Sequence, residues 1–276
     1  MEKTIVITGL AQGMGRHVAL MLASAGYRIA GFDMDREGLA TLEKELHAAG
    51  AGCYLTELDI TDRPGILHFR DEVLERFGQV GTVLSNVGIG FFGPFEEVAL
   101  ERALKCLEIN VIGAAAIFQA FLPHMRANGR GRLIAMSSLV GVIPFPFESI
   151  YTASKFAIEG LVESIKYEVE PFGIQVALVE PAQVSTQFAA KIHQLPPEGS
   201  AYRERAARFI RRDNDLIKTA TTPEEAARRI VAIVRSTRPK LHNQVDFMSS
   251  FFLFLNWLLP KWARDKILLN HMNIQV

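Results

Sequence analysis

The stretch that decides the fold is Thr4-Ile5-Val6-Ile7-Thr8-Gly9-Leu10-Ala11-Gln12-Gly13-Met14-Gly15. Its β-branched start, its glycines and the apolar segment that follows up to Gly26 predict a strand, a turn and a helix. Glycine lets the backbone approach a pyrophosphate closely, and a helix N-terminus offers unpaired N–H groups. The stretch therefore predicts a dinucleotide site, with an ordinary strand–helix turn as the alternative.

An acidic residue after the second predicted strand bears on the choice of cofactor. Tyr27 to Phe32 has the pattern of that strand, and Asp33 follows it. A carboxylate there accepts hydrogen bonds from the ribose hydroxyls of NAD and repels the 2′-phosphate of NADP. NAD is therefore favoured, and Arg16 and Arg36 keep NADP as the alternative. Asp33 or Asp35 could instead cap the next helix.

Strand and helix patterns alternate along most of the chain. Further strands are predicted at Cys53 to Ile60, Val80 to Leu84, Arg132 to Met136, Ile174 to Val179 and Leu241 to Asp246. A long helical pattern from Glu101 to Met125 contains Asn110. This alternation predicts an α/β fold, a doubly wound Rossmann-type domain with a parallel sheet and helices on both faces. Ligands of such sheets bind at the carboxyl ends of the strands.

A tyrosine and a lysine stand four residues apart in Tyr151-Thr152-Ala153-Ser154-Lys155. On a helix this spacing places both side chains on one face, one turn apart. The pKa of a free phenol is about 10, and a nearby ammonium lowers it because it favours the phenolate. Tyr151 is therefore a candidate general acid and base.

Five motifs, taken in order, resemble those of the classical short-chain dehydrogenases/reductases. They are Thr8-Gly9-x-x-x-Gly13-x-Gly15, Asn86-x-Gly88, Asn110, Ser138 and Tyr151-x-x-x-Lys155. The resemblance covers roughly residues 3 to 235, and the stretches Tyr151 to Gly160 and Pro171-Phe172-Gly173 resemble the branch with 17β-hydroxysteroid and retinol dehydrogenases. It implies a single Rossmann-type domain with a seven-stranded parallel sheet, assembled as a homodimer or homotetramer.

The resemblance also implies a role for each matching residue. Tyr151 would transfer the proton, Lys155 would lower its pKa and bind the nicotinamide ribose, and Ser138 would position the reacting oxygen. Asn110 would hold a water that links the lysine to solvent. Cofactor contacts are also expected at Thr8, Gly9, Gly13, Met14, Gly15, Asp33, Asp59, Ile60, Asn86, Gly88, Pro181, Val184 and Thr186, and no metal is expected.

Two positions depart from the usual pattern of the family. Ser85 stands where members usually carry asparagine, and Ala182 stands where they usually carry glycine. Neither position is one of the four catalytic ones.

Apolar residues outside the motifs bear on the substrate. Three phenylalanines after the fourth strand, Phe91, Phe92 and Phe95, could equally line a pocket or anchor their loop. The stretch from about 187 to 218 has no strand pattern and is predicted to form a lid. Its arginines favour a solvated helix face over contact with an acidic substrate tail or a membrane.

The motifs and the resemblance predict an NAD-dependent oxidoreductase acting on a secondary alcohol or ketone of a bulky apolar substrate. A steroid, a retinoid or a long-chain lipid would fit. The alternatives are a 3-oxoacyl reductase-like enzyme using NADPH and a non-catalytic nucleotide-sensing protein on the same fold. A hydrolase using Ser137 or Ser138 is disfavoured because no Gly-x-Ser-x-Gly surrounds them.

The last part of the chain is an apolar tail. We divide the chain into a catalytic domain, residues 1–246, and an extension, residues 247–276. The apolar run from Phe247 to Pro260 is too short for a membrane span, which needs about 20 residues. Packing over the substrate pocket or against another subunit is expected first, peripheral membrane contact second and burial in the core third.

Composition limits the remaining possibilities. Of the 276 residues, 49% are hydrophobic, which suffices for a large core, and 30 basic residues balance 30 acidic ones, which disfavours nucleic acid as a partner. Cys53 and Cys106 form no CxxC motif and indicate a reducing compartment. The first strand begins too early for a signal peptide. A cytoplasmic protein is expected, with a peripheral membrane position as the alternative.

Overall fold

Seven parallel strands form the centre of the computed structural model, which describes residues 2–185 and 196–275. The strand order is β3-β2-β1-β4-β5-β6-β7, and every neighbouring pair is parallel. The predicted fold class is thereby confirmed. The strands are β1 (Thr4–Thr8), β2 (Arg28–Asp33), β3 (Cys53–Glu57), β4 (Thr82–Ser85), β5 (Gly131–Met136), β6 (Ile174–Val179) and β7 (His242–Asn243).

Helices cover both faces of the sheet. They are α1 (Gly13–Ser24), α2 (Arg36–Ala48), α3 (Arg63–Phe77), α4 (Leu100–Leu107), α5 (Gly113–Ala127), α6 (Ser149–Val169), α7 (Arg203–Ile217), α8 (Pro223–Arg235), α9 (Phe247–Leu258) and α10 (Lys261–His271). A turn of π-helix, Glu108–Ile112, joins α4 to α5, so the long helix predicted around Asn110 is continuous. Among the described residues, Leu100–Ala127 is the one helix long and apolar enough to cross a membrane, and half of its apolar window is buried in this fold.

The first strand shows why the sheet needs helices on both sides. Ile5 and Ile7 point into one apolar layer, and Val6 points into the other. Successive side chains of a strand alternate between the two faces, so a strand that is apolar at every position must be buried on both. The first layer also holds residues of α1, α2 and α8, and the second holds residues of α3, α5 and α6.

Several expected boundaries differ from the observed ones. β3 ends at Glu57, so the predicted strand was too long, and β7 consists of His242 and Asn243 alone. Residues 187–195 of the predicted lid lie outside the described residues, and α7 forms its later part. Arg205 donates to the backbone oxygen of Ile274 at 3.0 Å, so at least one arginine of this helix has a structural contact.

The C-terminal residues pack beside the catalytic motifs. A third apolar cluster joins Phe92 and Phe209 to Leu268, Met272 and Ile274 near the end of the chain. Helix α9 has a divided surface, because Phe252 is buried and Trp257 is 80% exposed. The division of the chain at residue 246 stays a prediction.

Candidate active site

The parallel strands all end at one edge of the sheet, and a cavity of about 580 Å³ opens there beside the ends of five of them, β1, β2, β4, β5 and β6. β1 pairs with β2 on one side and with β4 on the other. The chain therefore builds the sheet outward from β1 in one direction up to β3 and in the opposite direction from β4 onward. Such switch points bind dinucleotides in doubly wound sheets. The predicted residues that line the cavity are Gly9, Gly13, Met14, Asp33, Asn86, Gly88, Ser138, Tyr151, Lys155, Pro181 and Val184.

The turn after β1 has the backbone that its glycines allow. Gly9 and Gly13 have φ angles of 69° and 58°, in the left-handed region that favours glycine. A Cβ on Gly15 would lie 2.4 Å from the backbone oxygen of Gly9, so that position also requires glycine. The N-cap of α1, Gln12, makes no side-chain capping hydrogen bond. The helix N-terminus therefore fits a pyrophosphate.

Hydrogen bonds of Thr8 and Asn86 join this turn to the residues that follow β4. The Thr8 hydroxyl accepts hydrogen bonds from the backbone N–H groups of Asn86 and Val87, at 3.0 and 3.1 Å. The Asn86 side-chain amide donates to the backbone oxygens of Gly9 and Thr8, at 2.8 and 3.1 Å. Thr8 and Gly15 do not line the cavity. Both residues shape the turn, and their expected contacts with the cofactor stay predictions.

Asp33 stands at the far end of the cavity from the tyrosine. Its carboxylate accepts from the backbone N–H of Ala11 at 2.9 Å and does not cap α2, since Asp35 accepts from the N–H of Gly38. Arg16, one of the two arginines that kept NADP as the alternative, donates to Glu45 at 2.8 Å. That guanidinium is therefore held by protein partners.

Two of the expected contact residues, Asp59 and Ile60, have partners within the protein. Asp59 accepts from the backbone and the hydroxyl of Thr61, both at 2.9 Å, and Ile60 is buried against Gly113. Neither lines the cavity. Both follow the edge strand β3, which ends three residues earlier than expected. Thr186 lies outside the described residues.

The cavity also contains residues that the motifs did not indicate. Gln12, His17 and Pro223 line it. His17 follows Gly13 by four residues in α1, so helical spacing could have identified it. Pro223 begins α8, far along the chain, and no local signal pointed to it.

The catalytic candidates meet beside the end of β5. Ser138 is the second residue after this strand, is buried, and forms a hydrogen bond with Tyr151. The Lys155 ammonium donates to the backbone oxygen of Met136 at 2.8 Å and lies 5.5 Å from the centre of the Tyr151 ring. One helix face and one strand end thus bring three predicted residues together.

The titration of this pair differs from the expectation. Burial, followed by the charge of Glu148, raises the pKa of Tyr151 above its usual value, although the hydrogen bond from Ser138 acts in the opposite direction. Burial lowers the pKa of Lys155 to about 8, against the charges of Cys106 and Glu159. The predicted lowering of the tyrosine pKa is not found, because the site is more deeply buried than the spacing alone could indicate.

Asn110 lies in the π-helical turn and is buried. Its amide nitrogen donates to the backbone oxygen of Ile89 at 2.8 Å and to the Ser154 hydroxyl at 2.9 Å, and its oxygen accepts from the N–H of Ile89 at 2.8 Å. Its side chain therefore joins α6 to the loop after β4. A π turn within an α-helix is frequent at functional sites.

A second cavity, of about 380 Å³, meets the first at Ser138 and Tyr151. Four phenylalanines line it: Phe92, Phe145, Phe247 and Phe252. Of the three loop phenylalanines, Phe92 therefore lines a pocket, whereas Phe91 is buried near Arg102 and Phe95 is 67% exposed. The cavity also contains the buried carboxyl groups of Glu148 and Asp213. Burial and Asp213 raise the pKa of Glu148 well above its usual range.

The two departures from the family pattern lie close to these cavities. Ser85 is buried at the end of β4, and Ala182 lines both cavities. The N–H of Ala182 donates to the Asp246 carboxylate at 2.8 Å. That carboxylate also accepts from the N–H of Ser249, so it connects the cavities to the start of α9.

The doubly wound sheet, the glycine turn and the buried Ser–Tyr–Lys group define a nucleotide-dependent oxidoreductase. The short chain dehydrogenase family matches residues 3–196, and this chain belongs to it, as an NAD(P)-dependent enzyme. The chain is 32% identical to 17-beta-hydroxysteroid dehydrogenase type 1 of Homo sapiens, over 87% of this chain and 77% of that one. The predicted family and its hydroxysteroid dehydrogenase-like branch are confirmed.

Solved structures agree with the fold. A short-chain dehydrogenase from Streptomyces avermitilis superposes with a TM-score of 0.80 at 29% identity, covering 93% of this chain and 92% of that one. A short chain dehydrogenase/reductase from Burkholderia phymatum, in complex with NAD, gives a TM-score of 0.79 at 24% identity, over 93% and 95%. The latter likeness concerns the fold alone.

Proposed function

We propose that this enzyme interconverts a secondary alcohol and a ketone on a bulky apolar substrate, with NAD as its cofactor. The observation that carries the proposal is the meeting of two different cavities at Ser138 and Tyr151. One has a glycine turn and a carboxylate suited to a dinucleotide, and the other is lined by phenylalanines. A substrate in the second cavity would present its reacting carbon at the junction.

The choice of NAD over NADP rests on Asp33 and Arg16. The carboxylate lines the cavity and would accept hydrogen bonds from ribose hydroxyls, whereas a 2′-phosphate would meet a negative charge. Arg16 already donates to Glu45 and to two backbone oxygens, those of Ala11 and Gly38. Membership of the short chain dehydrogenase family supports a nicotinamide cofactor, NAD or NADP.

The bound nicotinamide would supply or accept the hydride, and the remaining chemistry belongs to the side chains. The Ser138 hydroxyl would orient the reacting oxygen, and Tyr151 would donate its proton to that oxygen when a ketone is reduced. The raised pKa of Tyr151 keeps the phenol protonated near neutral pH, which suits the role of acid. We assign to Asn110 the positioning of α6, with the water link to Lys155 as its second role.

The substrate class is inferred from the lining of the second cavity. No arginine or lysine lines it among the described residues, and Glu148 and Asp213 contribute acidic groups. An anionic group would find no cationic partner there, whereas a steroid, a retinoid or a long-chain lipid would bury apolar surface against phenylalanines. The name of the human relative, a hydroxysteroid dehydrogenase, supports this class.

The exposed face of α9 is proposed as an assembly or membrane surface. Phe254 and Trp257 are 54% and 80% exposed there, and Trp262 in α10 is 73% exposed. A patch of large apolar side chains is typical of an interface. A second copy of the chain is our first choice, giving a homodimer or homotetramer, and a bilayer surface is the second. Either is compatible with the proposed cytoplasmic location.

A ketone panel tests the function. The purified enzyme is given NADH or NADPH with ketones that rise in size from butanone to a steroid ketone, and absorbance of the reduced cofactor is followed. We expect kcat/KM to rise with apolar size and NADH to exceed NADPH. Preference for NADPH with 3-oxoacyl thioesters would favour the reductase alternative. Cofactor binding without turnover of any ketone would favour the non-catalytic one.

A further inference from the structure

A second cluster of titratable groups lies further along the helix that carries the catalytic pair. Glu159 and Glu163 follow Lys155 at intervals of four residues and so share its face of α6. Glu180, just after β6, and His242, in β7, reach the same place from the sheet. The predicted reaction uses none of these four side chains.

The imidazole of His242 is oriented by a carboxylate. Its Nδ1 lies 2.6 Å from Glu180 Oε1, and Gln244 donates to the other oxygen of Glu180 at 2.7 Å. Glu180 therefore favours the tautomer with hydrogen on Nδ1, which leaves the lone pair on Nε2 free. A carboxylate that holds one nitrogen while the other binds a metal is the usual arrangement of histidine ligands.

The spacing of the free ligand atoms suits a small cation. His242 Nε2 lies 3.7 Å from Glu163 Oε1, and two ligands about 2.1 Å from one tetrahedral ion lie roughly 3.4 Å apart. One ligand atom from each of Glu159, Glu163 and His242 lies within 4.8 Å of the other two. Glu159 Oε2 lies 3.6 Å from His242 Nδ1, so a rotation of the Glu159 carboxylate toward Nε2 would place all three ligands on one ion.

Glu159 provides an independent sign that a ligand is missing. It is only 6% exposed, and neither of its carboxylate oxygens has a hydrogen-bond partner among the described residues. The Ser137 hydroxyl is also buried and makes no hydrogen bond of acceptable geometry within the part of the chain that the structure describes. The basic group near it is His242, whose Nδ1 lies 3.6 Å from Glu159 Oε2. A buried carboxylate without hydrogen bonds is costly, and a bound cation would compensate it.

We propose that Glu159, Glu163 and His242 bind one divalent transition-metal ion of the Zn²⁺ type, with Glu180 orienting the histidine. Two carboxylates and one imidazole suit Zn²⁺ better than Ca²⁺, which prefers six or more oxygen ligands. The side chains of Glu163 and His242 are 48% and 42% exposed, which leaves an entry path and room for a water ligand. The ion would tie α6 to β7 beside the active site.

A rival group lies elsewhere on the surface. Glu43, His47 and Cys53 also bring three ligand atoms within 4.8 Å of one another, and His47 Nε2 is 3.4 Å from the Cys53 sulfur. None of these side chains is buried. A variant that disrupts this group is therefore a necessary control when the number of ions bound per chain is measured.

Zinc titration of the chelator-treated, tag-free enzyme tests the site by calorimetry and by thermal unfolding. We expect one Zn²⁺ per chain with a raised Tm, and loss of that binding in Glu159→Gln and in His242→Ala. Glu180→Gln should weaken binding about 10–100-fold, because it removes only the orienting group. Glu168→Gln, which removes an exposed carboxylate from the same helix, and Cys53→Ala should bind as the parent does.

The contrary outcomes are equally clear. Absence of Zn²⁺ binding to the parent enzyme, unchanged binding in both ligand variants, or loss of binding in Cys53→Ala would overturn the proposal. Circular dichroism and NADH affinity establish that each variant is folded. Because His242 is a partly exposed residue of a two-residue strand, its variant keeps the test valid should Glu159→Gln fail to fold.

Discussion

The two cavities that meet at Tyr151 are built in different ways. The cofactor cavity is lined mostly by residues of a glycine turn and of the ends of parallel strands, where the path of the backbone sets its shape. The substrate cavity is formed largely by side chains from two loops, α7, α9 and the C-terminal residues. Backbone geometry is fixed by a few residue types, whereas side-chain packing depends on segments far apart in sequence. The first cavity should therefore tolerate little change, and the second should account for specificity.

The largest expected effect is at the junction of the cavities. Tyr151→Phe removes the phenolic proton but keeps the ring, and a positioned acid or base typically contributes 10²–10⁴-fold to rate. We expect kcat to fall by about that factor, while NADH binding, followed by fluorescence, is unchanged. Tyr167→Phe, on the exposed side of the same helix, is the matched control and should retain activity. Near-normal turnover in Tyr151→Phe would remove this residue from the mechanism.

A second prediction compares a buried phenylalanine near the substrate cavity with an exposed one. Phe209 is fully buried in α7 and meets Phe92 edge to face at 5.4 Å, so Phe209→Ala should lower the free energy of unfolding by about 3–5 kcal/mol. Since Phe92 lines the substrate cavity, KM for the ketone should rise and the Kd for NADH should not. Urea unfolding and steady-state kinetics measure both effects.

The control for that prediction is a phenylalanine on the solvent side of α9. Phe254 is 54% exposed in the single chain, and in a chain kept monomeric by dilution Phe254→Ala should change the free energy of unfolding by no more than about 0.5 kcal/mol. A large loss of stability in Phe254→Ala at higher protein concentration would mean that another molecule covers this face. Equal effects of the two variants would contradict the division between a packed and an exposed side.

The same contrast explains what the sequence could and could not predict. Gly9, Asp33, Tyr151 and Lys155 were predictable because a left-handed φ, a strand end and a helical repeat are local properties. The raised pKa of Tyr151 was not, since it depends on how deeply the tertiary fold buries the phenol and on the nearby Glu148. Neither the burial of the phenol nor the position of Glu148 can be predicted from the four-residue spacing of Tyr151 and Lys155.

Two further features also depend on the assembled fold. The resemblance places Asp59 and Ile60 at the cofactor, but they follow the edge strand β3 and do not line the cavity, so their contact with the cofactor stays a prediction. The cluster of Phe92 with Phe209 and Met272 joins residues from three distant parts of the chain, and no periodicity indicates such a contact. Edge position and long-range packing are properties of the assembled fold.

The smallest expected effect concerns the cofactor side alone. Asp33→Asn keeps an oxygen that can accept the N–H of Ala11 but removes the charge that would repel a 2′-phosphate. Losing a hydrogen bond to a charged group costs about 1.5–3 kcal/mol, so kcat/KM with NAD should fall roughly 10-fold or more while that with NADP rises. Asp35→Asn changes the adjacent helix cap and should leave the ratio of the two cofactors unchanged. Because Asp33 does not line the substrate cavity, the ranking of ketones should also stay the same. A change in that ranking would show that the two cavities are coupled beyond their shared residues.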